Sequence, residues 1–156
     1  MQTSNDNLVE VLNDLVAINY DRIKGYDRAA SEAKEGDLDL QTIFNKMANE
    51  SRNYVEELRD QVITLGGTPA SDTTASGKIY RVWMDVKAMF TGSDRESLLS
   101  SCEFGEDEAQ KAYDTALVSD ANMDAETRQL IMKQKNSLKK SHDIIKGYRD
   151  LHEAVH

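Results

Sequence analysis

Ser100-Ser101-Cys102-Glu103-Phe104-Gly105-Glu106-Asp107-Glu108-Ala109-Gln110-Lys111-Ala112-Tyr113 reads as the middle of a long helix. Leu98, Cys102, Ala109, Tyr113 and Ala116 lie at helical spacing on one apolar face, and continuing that stripe carries it across Glu106. A carboxylate on the buried side of a helix needs a partner, because a charge withdrawn from water is stable only when paired. The identity of that partner separates a metal site from a structural polar core.

Working outward, the remaining segments show the same habit. Leu8, Leu12, Leu15, Asn19, Ile23, Tyr26, Ala30 and Ala33 recur in steps of three and four, which predicts a first helix over about 5–35, with Ser4, Asn5 or Asp6 as its cap and Gly36 as its stop. Gly25 inside that helix implies close packing by a neighbour. Asp37 is placed to cap a second helix, 38–65, whose seam is Leu40, Phe44, Met47, Ser51, Tyr54, Leu58, Val62 and Leu65. Leu65-Gly66-Gly67-Thr68-Pro69 ends it. A loop leads to a short helix at 78–90 with Ile79, Val82, Trp83 and Val86 on one face. Ser93 and Glu96 match a capping box opening the helix at 94–118. Asp124 caps the last helix, 124–153, with Ile131, Gln134, Leu138, Ser141 or His142, Ile145, Tyr148 and His152 along its seam.

Four long helices with short outer connections and one long middle connection predict a single all-α domain over 1–156: a four-helix bundle whose crossover contains an extra short helix. Composition agrees. The 156 residues include one proline, which suits long helices better than a turn-rich sheet. Lys and Arg total 19 against 28 Asp and Glu, so the net charge of -9 argues against nucleic acid and anionic membrane as partners. No apolar run reaches the roughly 20 residues needed to span a bilayer. The polar N-terminus and the single cysteine, Cys102, point to the cytoplasm. Cys102 itself sits on the apolar stripe as a small core filler.

Each seam breaks its apolar pattern near the middle: Asn19 on the first helix, Ser51 and Tyr54 on the second, Glu103 and Glu106 on the third, Gln134, Ser141 and His142 on the fourth. In a bundle these midpoints meet. Asn13-Asp14-Leu15-Val16-Ala17-Ile18-Asn19 resembles the first helix of bacterioferritins, in which Asn-Glu-Leu-Val-Ala-Ile-Asn carries an iron-ligating glutamate, and Asp14 takes that place. Leu65-Gly66-Gly67-Thr68-Pro69 is similar to the family's Leu-Glu-Gly-Leu-Pro. Counting from it, Ser51 and Tyr54 replace the first Glu-x-x-His; Glu103 matches the bridging glutamate, and His142 the second histidine, with Lys139 where its glutamate would be. A closer resemblance is to a group of bacterial ferritin-like proteins of unknown function, through the Leu-Gly-Gly-x-Pro turn, Trp83-Met84, the Glu-x-Gly-Glu-Asp run from Glu103 to Asp107, and His142-Asp143. It implies a ferritin-like fold and carries no activity.

Two readings follow. In the first, the chain is a non-enzymatic ferritin-like bundle, stress-associated or acting in interaction or assembly, without a cofactor. Asn19, Ser51, Tyr54 and Gln134 then form a polar core, and Glu106 is hydrogen-bonded to Asn19, Ser51 or Tyr54. In the second, Glu103, Glu106 and His142, with Asp14 or Glu50, hold iron or manganese in a mononuclear or incomplete di-metal site. Tyr80, Met84 and Phe90 supply an apolar patch for a homodimer.

Overall fold

The structure, a computed structural model, describes residues 4–33, 37–71, 95–119 and 122–155. Among the described residues four helices carry the fold: α1 (Ser4–Glu32), α2 (Leu38–Thr64), α3 (Arg95–Leu117) and α4 (Ala125–Val155). The expected short helix at 78–90, the dimer patch of Tyr80, Met84 and Phe90, and the Ser93 cap lie outside the described residues.

Contacts between helices fix their directions. Arg52 reaches Asp27 at 2.7 Å, and Asn13 reaches Thr68, so α1 and α2 are antiparallel. Arg95, at the start of α3, meets Asp37 and Asp39 at the start of α2, at 3.0 and 2.7 Å. The two helices therefore begin at the same end of the bundle. The end of α2 and the start of α3 thus lie a helix length apart, about 40 Å at 1.5 Å per residue. Gln61, near the end of α2, donates to Thr127 at the start of α4, so α4 returns antiparallel to both. The result is a ferritin-like bundle with one long crossover.

Helix ends follow local chemistry, with one change. Asp124 accepts from the Thr127 backbone N–H and hydroxyl, as a cap should. At the end of α2, Gly66 N–H bonds to Ile63 O and Gly67 N–H to Val62 O, each at 2.9 Å, with Gly66 at φ 84°. That is a Schellman turn, and its left-handed position explains the first glycine. The second is explained by space: a Cβ on Gly67 would lie 2.6 Å from Val9 on α1. Asp37 occupies the cap position of α2, yet its side chain makes no capping hydrogen bond. Its carboxylate is committed to Arg95, a charged donor that outcompetes a backbone amide.

The core is divided. One apolar cluster includes Leu8, Leu12, Leu15, Leu58, Val62, Ala109, Tyr113, Ile131 and Leu138. The other includes Tyr26, Leu40, Phe44, Met47, Leu98, Leu99, Cys102 and Ile145. Between them, each helix contributes a buried position that is polar or glycine: Asn19 and Arg22, Ser51, Gly105 and Glu106, and Ser141. The seam of α1 rotates there. Arg22 and Ala29 are buried while Ile23 and Ala30 are only partly so, because steps of 15, 19, 22, 26 follow the helical period as closely as 15, 19, 23, 26.

Candidate functional site

At the centre of the dividing layer, Arg22 points from α1 into the bundle with no solvent exposure. Its Nε donates to Glu106 Oε1 at 2.5 Å, and one terminal nitrogen donates to Ser51 Oγ at 2.8 Å and to the Met47 carbonyl at 3.1 Å. The guanidinium also lies 5.1 Å from the centre of the Tyr26 ring, which itself packs on Phe44. Burial alone would lower the Arg22 pKa, but the Glu106 carboxylate outweighs it and holds the guanidinium above its ordinary value. Burial first, then Glu106, pushes the neighbouring Tyr26 phenol and Cys102 thiol well up, so both stay neutral and Cys102 is a poor nucleophile.

A chain of hydrogen bonds continues from this pair through all four helices. Ser51 donates to Asn19 Oδ1, and Asn19 Nδ2 donates to the Tyr113 hydroxyl, both at 2.9 Å. Tyr113 donates to Gln134 Oε1 at 2.6 Å. Gln134 Nε2 then donates to the Tyr54 carbonyl and to Glu57 at the protein surface. Burial raises the Tyr113 phenol, which keeps it a donor at neutral pH. Glu50 sits at the edge of the layer, accepting from Tyr54 and Ser141. The Tyr54 phenol is pushed up to about 12, chiefly by burial and then by Glu50.

The structure thus brings Asn19, Ser51 and Gln134 into one network, with Tyr54 entering through its carbonyl. Glu106 joins the same network through Arg22. Asp14 is fully buried on α1, eight positions before Arg22, or roughly 12 Å along the helix. Glu103 and His142 come together elsewhere, with Asp107: their ligand atoms lie within 4.8 Å of one another at the boundary of α3 and α4. His142 Nε2 is 2.5 Å from Asp107 Oδ1, and Nδ1 is 3.3 Å from Asp143. Arg149 holds Glu103 Oε2 at 2.8 Å.

Arg22, Asp107 and the Tyr113 hydroxyl take part although the seam pattern does not mark them. Ile23 beside Arg22 is apolar and equally placed by spacing, so the pattern favours Ile23 for the seam. The signal that points to Arg22 is Glu106 itself, a buried carboxylate in need of a cation. Asp107 lies four positions after Glu103, hence above it on the helix, and that spacing was available.

The residues of the layer fit a di-metal centre poorly. Carboxylate-bridged metal pairs in such bundles use four carboxylates and two histidines. Here Glu106 already carries a guanidinium, Glu50 at the edge of the layer accepts from Tyr54 and Ser141, and the other groups bonded to Arg22 are a hydroxyl, a backbone carbonyl and a thioether. An internal cation occupies the position.

Helix order, crossover and divided core define a ferritin-like four-helix bundle. Within that class the chain belongs to a specific family: residues 7–119 match the model described as a domain of unknown function, DUF2383. Among curated proteins, none matches the sequence. Solved structures share the fold, among them the following. A mutant of Dps1 from Mycobacterium smegmatis superposes with a TM-score of 0.79 at 9% identity, covering 96% of this chain and 99% of that one. A dodecameric thioferritin, the bacterioferritin-related protein of Bacteroides fragilis, gives 0.78 at 20% identity, covering 96% and 89%. A ferritin-like diiron-carboxylate protein from Bacillus anthracis gives 0.68 at 20% identity, covering 97% and 99%. At these identities the likeness shows the fold alone.

Proposed function

We propose that this chain is a ferritin-like bundle without redox chemistry in its core, and that it works as an interaction or assembly protein. The observation that carries this reading is the Arg22–Glu106 pair, in which a protein cation neutralises the carboxylate at the centre of the layer. A second cation there would meet a fixed positive charge at very short range in a low-dielectric interior. Three further features support a role exercised at the surface. The buried phenols and thiol are held in their neutral forms, so they supply neither base nor nucleophile at neutral pH. Large apolar side chains are exposed on several helices, among them Leu38, Ile63, Phe104 and Met132. The Bacteroides fragilis neighbour is a dodecamer, which gives a precedent for self-association of this shape.

The test uses untagged protein from cells grown with added iron and manganese. The expected result is no metal that depends on Glu106, no Fe(II)-dependent uptake of dioxygen, and a mass by light scattering that is a multiple of the chain. Stoichiometric iron that disappears in Glu106→Gln while the fold persists would overturn the proposal. A strictly monomeric chain at high concentration would remove its assembly part.

A further inference from the structure

Outside the core layer, one cluster has the composition and reach of a cation site. We infer that Glu103, Asp107 and His142 bind a single divalent first-row transition ion at the boundary between α3 and α4. This site is separate from the centre that Arg22 fills, and it stands whether or not the bundle assembles.

Geometry is the first argument. Glu103 and Asp107 are one helical turn apart, so both carboxylates rise on the same face of α3, and His142 faces them from the antiparallel α4. One donor atom from each falls within a 4.8 Å sphere of separations. Metal–oxygen and metal–nitrogen bonds of about 2.0–2.2 Å place adjacent ligand atoms roughly 3–4 Å apart, so little movement is needed to close on an ion. Two carboxylates and an imidazole form a mixed O,O,N set, which suits zinc, manganese or ferrous iron better than calcium.

The surrounding residues form the second argument. Nδ1 of His142 lies 3.3 Å from Asp143, so a carboxylate stands behind the imidazole while Nε2 faces the other two ligands. Carboxylate-backed histidines of this kind hold the ring and its tautomer ready for a metal. Glu103 is placed by a charge contact as well: Arg149 Nη1 lies 2.8 Å from its Oε2. The Glu103 side chain is only 12% exposed, whereas Asp107 is 51% exposed, so the cluster has a buried floor and an open side for water.

Charge is the third. Glu103 and Asp107 repel each other at one-turn spacing, and Asp143 adds a further negative charge beside them. Arg149 and His142 offset this in part. A divalent ion would relieve it by replacing the Asp107–His142 contact with bonds from both groups to one centre.

The experiment is titration of the untagged full chain with Zn(II) by calorimetry, and with Co(II) followed by visible absorption. The expected result is one ion per chain and Co(II) d–d bands that report an imidazole ligand. His142→Ala should abolish both signals, and Asp143→Asn should weaken binding by roughly tenfold, the lower end for an orienting partner. Glu106→Gln should leave binding intact, which separates this site from any metal in the core. The double variant His152→Ala/His156→Ala should also leave it intact, excluding capture by the terminal histidines. Binding that survives His142→Ala, binding lost with the terminal pair, or no binding by folded protein would each overturn the inference. Circular dichroism of every variant establishes that folding is not the cause, and His142→Gln, closer in shape, repeats the test with less disturbance.

Discussion

Arg22 on α1 and Glu106 on α3 meet at 2.5 Å between the two apolar halves of the core, both side chains without solvent exposure. Each removes the reason the other would be intolerable there. Desolvating either ion alone costs several kcal/mol, and the pair is sustained by its short contact and by the Ser51 hydroxyl and Met47 carbonyl, which accept from Nη1 of the guanidinium.

Single removal of a partner should therefore cost more than removing both. Arg22→Met leaves Glu106 buried without its guanidinium, and Glu106→Leu leaves Arg22 buried without its carboxylate. Each is expected to destabilise by about 3–5 kcal/mol in urea unfolding. The double variant should lose less than either, since an apolar pair of similar volume requires no desolvated charge. Losses that simply add would mean that the two residues are not energetically coupled.

Tyr113 is the link between Asn19 and Gln134. Tyr113→Phe removes the hydroxyl that accepts from Asn19 Nδ2 and donates to Gln134 Oε1. Asn19 keeps its bond to the Leu15 carbonyl, but Gln134 Oε1 loses the donor it has here. The expected cost is about 1–3 kcal/mol, the range for leaving a buried polar group unsatisfied, with the helical content of the folded state unchanged by circular dichroism.

Both glycines of the α2 turn should resist replacement, for different reasons. Gly66→Ala meets no neighbour, but its φ of 84° lies in the left-handed region and should cost about 1–2 kcal/mol in strain. Gly67→Ala carries its Cβ to within 2.6 Å of Val9 and 3.2 Å of Val62. Its cost should be about 1–3 kcal/mol from overpacking. Adding Val9→Ala opens the space, so it should restore part of the loss at Gly67 and none at Gly66. Thermal unfolding of the two singles and two doubles distinguishes strain from crowding.

The fold was legible because it depends on patterns the sequence displays openly. Leu40, Phe44, Met47, Ser51, Tyr54, Leu58 and Val62 are buried as their spacing requires, and Ser51, the small polar break in that seam, lies in the layer that divides the core. Glu106 was recognised as buried and as needing a partner. Its partner was harder to see, since a guanidinium is usually solvated and Ile23 competed with Arg22 for the same face. Register between helices decides such matches, and it depends on packing over the whole bundle. Asp37 shows the same limit at a helix end: the local rule makes it a cap, whereas Arg95, 58 residues away, takes its carboxylate. The Glu103–Asp107–His142 cluster was half legible. Glu103 and His142 stand out as polar breaks in their seams, but Glu106, three positions from Glu103, turns into the core while Asp107, four positions away, turns toward His142.

Asp124 provides a prediction with a definite pH window. Its carboxylate accepts from the Thr127 N–H and hydroxyl, and these hydrogen bonds, the hydroxyl first, hold its pKa below the ordinary 3.8. Because the folded-state value is depressed, the folded protein binds this proton less readily than the unfolded chain. The cap therefore contributes fully above about pH 4 and is lost as pH falls through the lowered value. Asp124→Ala should destabilise α4 by about 1 kcal/mol at neutral pH, as measured by urea unfolding. Asp124→Asn keeps a neutral acceptor and should lose less. As pH is lowered below 3.8, the gap between the native chain and Asp124→Asn should narrow, because the native carboxyl becomes neutral too. A gap that stays constant through this range would show that the charge of Asp124 contributes nothing to the cap.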